Sequence, residues 1–153
     1  PMKKHLLIIY HTQSGNTGQM AEAVMRGSTQ EADVETRLLS AFDADLKDLR
    51  WADGLLFGTP ENFGTMSGAL KDFFDRTYYP AEPFQLNLPY ALFISAGNDG
   101  SGAAREIDRI AIGYPLRKIN EPLIATGDIN QQHLEQCEEF GLAMAAGLSL
   151  GIF

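Results

Sequence analysis

One cysteine, one tryptophan and three histidines in 153 residues leave little material for several kinds of chemistry. The lone Cys137 cannot close an internal disulfide. With no second thiol it reads as a small apolar residue of the last helix rather than a zinc ligand. His5 and His133 read as surface residues, and no Ser-His-Asp set or carboxylate pair at catalytic spacing is evident. No metal is expected, and no catalytic side chain beyond what a bound cofactor would supply. Positive charge is scarce as well, with 12 Lys and Arg against 20 Asp and Glu for a net charge of −8. That balance repels nucleic-acid phosphates and anionic lipid, so neither is an expected partner. Long hydrophobic runs are missing too. The stretch 6–9 is too short for a secretory core or a membrane span, which predicts a cytoplasmic chain without a span.

What is present is the composition of a packed globular protein. The chain is 44% hydrophobic and 21% charged, so neither apolar deficit nor charge excess argues for disorder. No linker, repeat or low-complexity segment divides it, and residues 1–153 are read as a single domain. Residues 5–10 form a continuous apolar run, as a parallel strand covered on both faces requires. A helix follows over 17–28 with Met20, Ala21, Val24 and Met25 at helical spacing, then a weaker strand at 34–39. The third strand, 54–58, leads to a helix from about Ser67 with Leu70, Phe73, Phe74 and Thr77 on one face. A fourth strand at 90–94, a helix at 101–112, a short fifth strand at 123–125 and a final helix at 131–148 complete the alternation. Such alternation specifies a doubly wound, three-layer α/β/α fold with a five-stranded parallel sheet of order 2-1-3-4-5. Ligands of such sheets sit outside the carboxyl ends of the strands, so the loops after strands one, three and four matter most.

The first loop reads Thr12-Gln13-Ser14-Gly15-Asn16-Thr17. Its hydroxyls, its glycine and the unpaired amides of a helix start form a cage of neutral donors for a phosphate dianion. It contains no lysine, which excludes a nucleoside-triphosphate loop, and it lacks a three-glycine dinucleotide fingerprint. By composition alone, a polar turn with Ser14 or Asn16 capping the helix explains it equally well. The second loop, 59–68, contains Thr59, Pro60, Glu61, Asn62, Phe63 and Gly64. Its glycines allow backbone to approach a flat ligand, and the alternative is a helix-entry turn with Phe63 packed locally. The third loop, 95–102, carries Ser95, Ala96, Gly97, Asn98 and Gly102 and begins a helix expected to be capped by Ser101.

The run Ile8-Ile9-Tyr10 followed by Thr12, Gly15, Thr17, Ala21 and Val24 resembles the flavodoxin signature. The second loop with its continuation through Arg76 resembles the NADPH-dependent FMN reductases and WrbA-type multimeric flavodoxins. The resemblance implies a flavodoxin-like fold binding flavin mononucleotide (FMN). Thr12, Ser14, Asn16 and Thr17, with the amides of Gln13 and Gly15, would hold the phosphate. The segment 59–64 would cup the isoalloxazine ring, and Ser95, Ala96, Gly97, Asn98 and Gly102 would flank its pyrimidine side. Electron-carrier flavodoxins usually place an aromatic in the third loop, and this sequence has none between Ser95 and Gly102. One face of the ring would then stay open to a second flat molecule. The expectation is an oxidoreductase passing hydride from NADPH or NADH through FMN to a quinone or similar acceptor. The alternative is a one-electron carrier docking redox proteins on its acidic surface. The cluster Tyr78-Tyr79-Pro80 with Phe84 suits either a wall of the ring pocket or a homo-oligomer interface.

Overall fold

A computed structural model describes residues 2–153. β1 (Lys4–Tyr10), β2 (Val34–Ser40), β3 (Gly54–Asn62) and β5 (Leu88–Ala96) form the parallel centre of one sheet in the order β2-β1-β3-β5. β6 (Leu116–Lys118) and β7 (Leu123–Thr126) both pair in parallel with β5. β6 meets its beginning, from Leu88, and β7 meets its end, from Phe93. The sheet therefore has the expected five positions and order, but seven strands rather than five. One extra comes from this divided fifth position. The other is β4 (Thr65–Met66), which folds back antiparallel on the end of β3.

Side chains alternate across β1 and send each face to its own core. Leu7 and Ile9 join Phe57, Leu92 and Ile94 beneath α2 (Leu46–Trp51), α3 (Gly68–Ala81) and α4 (Ser101–Ala111). Leu6 and Ile8 join Leu56 and Phe93 beneath α1 (Asn16–Ser28) and α5 (Gln131–Leu150). All four apolar residues of β1 are fully buried, which is why its sequence reads as an unbroken hydrophobic run. α1 and α5 touch backbone to backbone. A Cβ on Gly27 would strike the Glu138 carbonyl, and one on Gly141 the Val24 carbonyl.

One helix has no counterpart in the sequence expectations, and His5 and Ser101 are placed differently from expectation. α2 is too short to show periodicity and is fixed instead by a capping box between Asp45 and Asp48. Its last residue, Trp51, stacks on His5 at 4.1 Å, so His5 is half-buried rather than a free surface residue. Ser101 does not cap α4; it is the first helical residue, and its hydroxyl donates to Asp99 at 2.8 Å. Among the described residues, no helix is long and apolar enough to cross a membrane, and no cluster of three His, Cys, Asp or Glu is placed to hold a metal.

Candidate cofactor site at the strand ends

The first loop leaves β1 and enters α1 through Gly15, whose φ of 104° is a left-handed conformation suited to glycine. No side chain of the N-cap residue closes the helix. Among the described residues the amides of Gln13, Ser14, Gly15, Asn16 and Thr17 donate to nothing in the chain. Five consecutive free donors at a positive helix end fit a phosphate dianion better than a self-capped turn. Neither Ser14 nor Asn16 caps α1. Thr12 Oγ1 accepts from the Gly18 amide at 3.0 Å, which leaves its hydroxyl proton available for an acceptor in the loop. Thr17 is placed differently from the other three. Its side chain is buried, and its hydroxyl pairs with Ser95 Oγ at 2.7 Å, so it fastens the start of α1 to the end of β5.

The second loop is a hairpin. Glu61 faces Met66 and Asn62 faces Thr65, leaving Phe63 and Gly64 as a two-residue turn with φ of 54° and 75°. Positive φ at both positions is the type I′ geometry, and it places a bulky side chain where only glycine is unstrained. Phe63 is fully exposed at the tip, not packed locally. The hairpin base is tied by Thr59, whose hydroxyl donates to the Pro60 carbonyl at 2.8 Å and accepts from the Ser67 amide at 2.9 Å. Asn62 Nδ2 donates to Gln13 Oε1 at 2.9 Å and joins the hairpin to the first loop.

Ser95 and Ala96 end β5 beside Pro60, and Gly97, Asn98 and Asp99 stand exposed before α4. A solvent-open cavity of about 260 Å³ brings the three loops together, with Ser14, Asn16, Pro60, Glu61, Asn62 and Gly97 among its walls. Two further wall residues, Gly127 and Asp128, were not read from the sequence. They lie in the turn after β7, where the Gly127 amide donates to the Ala96 carbonyl at 2.9 Å. The only sequence signal was a Gly-Asp pair behind a short strand. His11 lies half-buried at the edge of this region, its Nδ1 without a partner and its ring edge-on to Phe42.

A larger cavity of about 470 Å³ lies between α3 and α4, lined by Phe74, Tyr78, Tyr79 and Arg109. Size does not make it the cofactor site. It lacks free backbone donors and sits along the helices, whereas ligands of doubly wound sheets sit at the strand ends. Tyr78 and Tyr79, at the end of α3, line this cavity and not the one between the three loops. Tyr78 also packs edge-on against Tyr114 at 5.3 Å, and Phe84 lies under Arg50.

The sequence model of the NADPH-dependent FMN reductases matches residues 5–114. A flavodoxin of Aquifex aeolicus is 44% identical over 70 residues, which cover 46% of this chain and 38% of that protein. The NAD(P)H dehydrogenase (quinone) of Syntrophus aciditrophicus is 23% identical across 93% of this chain and 84% of its own length. The WrbA-like flavodoxin structure from Agrobacterium tumefaciens superposes with a TM-score of 0.78 at 20% identity, covering 97% of this chain and 99% of that one. This chain thus spans less than half of the Aquifex protein, and the solved structure establishes the fold alone. The free amides at α1 and the shallow cavity between the hairpin and the third loop fit FMN, and the chain belongs to the NADPH-dependent FMN reductase family.

Proposed function

We propose that this chain, as a single FMN-binding domain, passes hydride from NADPH or NADH to a quinone or similar acceptor. When bound, FMN supplies the two-electron redox chemistry, and the protein supplies position and electrostatics. Thr12, Ser14 and Asn16, with the free amides of residues 13–17, hold the terminal phosphate. Pro60, Glu61, Asn62, Phe63 and Gly64 line one side of the ring, and Ser95, Ala96 and Gly97 the other. Thr17, Thr59 and Gly102 keep these segments in register.

The observation that carries the reading is the third loop. Its exposed residues, Gly97, Asn98 and Asp99, include no aromatic, so this side of the cavity stays open to a second flat molecule. Donor and acceptor would take turns there, which predicts ping-pong kinetics with parallel double-reciprocal lines. A carrier of single electrons is supported by the acidic surface and by the flavodoxin among the relatives. Absorbance of the FMN-loaded protein, followed through NADPH, NADH and then a quinone, separates the two. Bleaching by a nicotinamide and recovery with the quinone supports the reductase. No bleaching by either nicotinamide, with a strong paramagnetic signal on stepwise reduction, would overturn it and leave FMN binding intact.

A further inference from the structure

At the amino end of α4 three backbone amides converge on one side chain from another loop. Glu61 Oε1 accepts from the Gly100 amide at 2.9 Å, while Oε2 accepts from Gly102 at 2.9 Å and from Ala103 at 3.1 Å. The same two segments also touch sterically, since a Cβ on Gly102 would sit on the Gly64 carbonyl oxygen. Carboxylate acceptors at a helix start gain from both charge-assisted hydrogen bonds and the partial positive charge there. Neither the uncharged isostere nor the shorter acid reproduces the arrangement. Glutamine offers a single acceptor oxygen, and aspartate is one methylene short of the span.

The hairpin needs such a tie. It pairs two residues of β3 with two of β4, and a ribbon that short is marginal alone. Its tip also holds Phe63 at positive φ, a strain of about 1 to 2 kcal/mol that something outside the turn must overcome.

We propose that Glu61 is a positioning residue that latches the hairpin onto the start of α4 and so fixes the spacing between the two walls of the ring cavity. This rests on the placement of the flavin ring between those walls given above. The latch also fills the amide end of α4 with an internal anion, which leaves the first loop as the place for a terminal phosphate.

The test uses Glu61→Gln and Glu61→Ala in the full chain, read by amide hydrogen exchange without FMN and by titration with FMN and with riboflavin. In Glu61→Ala, exchange at Gly100, Gly102 and Ala103 should accelerate about tenfold or more, with a smaller acceleration in Glu61→Gln, which keeps one acceptor. Dissociation constants for FMN and riboflavin should rise by the same factor, on the order of tenfold, because the ring walls loosen and the phosphate cage does not. If Glu61→Ala does not fold, Glu61→Gln carries both readouts. Unchanged exchange at the three amides would overturn the latch. Loosened amides with unchanged riboflavin affinity, or weakening confined to FMN, would overturn its role in spacing the ring walls. If the parent protein binds neither flavin, the ring placement fails, and the exchange result still decides whether the latch exists.

Discussion

Two helices of this protein begin at the carboxyl ends of its parallel strands, each from a glycine in the left-handed region, Gly15 at 104° and Gly100 at 95°. Neither is capped by its own N-cap residue. Beyond that they differ. The amides of residues 13–17 at the start of α1 donate to nothing in the chain, whereas three at the start of α4, those of Gly100, Gly102 and Ala103, are taken by Glu61. A helix start is a generic anion site, and what decides its use is whether the chain has already supplied an anion. Here one start is satisfied by the chain's own carboxylate, and the other keeps five free donors, the ones proposed to hold a phosphate.

The strongest way to break this difference is to give α1 an internal anion of its own. Ser14→Asp places a carboxylate in the phosphate cage, and like charges at about 4 Å near a protein surface repel by up to ~4 kcal/mol. FMN affinity should fall on the order of 100-fold or more while riboflavin affinity barely changes, as fluorescence titration would show. Equal loss for both flavins would mean that the first loop does not hold the phosphate.

Removing a donor instead of adding a charge should do less. Thr12→Ala deletes the hydroxyl left free to donate after Oγ1 accepts from Gly18, and should weaken FMN by about 1 to 3 kcal/mol. Because Oγ1 also accepts from the Gly18 amide, the melting temperature of the FMN-free protein should fall as well, by about 2 to 4 °C. Unchanged FMN affinity would remove Thr12 from the site.

A more gradual effect concerns the two faces behind these helix starts at alkaline pH. On the α1 and α5 face, burial pushes the Cys137 thiol from its ordinary 9.0 up to about 12, against a smaller opposing pull from Arg26. On the α4 face, burial raises Tyr90, whose hydroxyl also donates to Asp108, and raises Tyr114. Each group keeps its proton in the folded state at a pH where the unfolded chain has released it. Stability is therefore complete below about pH 9 and falls as pH rises, by about 1.4 kcal/mol per unit for each such group. The decline should begin at the Cys137 face, one unit below the tyrosines. Denaturant midpoints at pH 8, 9.5 and 10.5 would measure it, and Cys137→Ala should delay the onset. A flat profile would show that the thiol does not stay protonated on burial.

The central strands were legible because parallel strands buried on both faces are apolar throughout, as Leu6, Leu7, Ile8 and Ile9 are. The divided fifth position was half legible. β7 has an apolar core, but β6 buries only Leu116 and exposes Arg117 and Lys118, which reads as loop. β4 escaped notice because two residues carry no period and a Phe-Gly turn is an unusual hairpin signal. Within the site, the first loop could be read because its donors are contiguous in sequence. The bonds of Glu61 to amides about 40 residues away could not, since nothing local distinguishes that glutamate from a solvated one.

The division of the fifth sheet position bears on how the chain behaves in company. An edge strand exposes a row of unpaired amides and carbonyls that another molecule can extend, and long flat apolar edges invite such pairing. Here the edge is broken into pieces of three and four residues, with Pro122 in the gap and Arg117 and Lys118 on the first piece. Proline offers no amide to an incoming strand, and the basic pair carries charge that a second copy would have to bury. That flank of the sheet is accordingly protected against strand-by-strand aggregation.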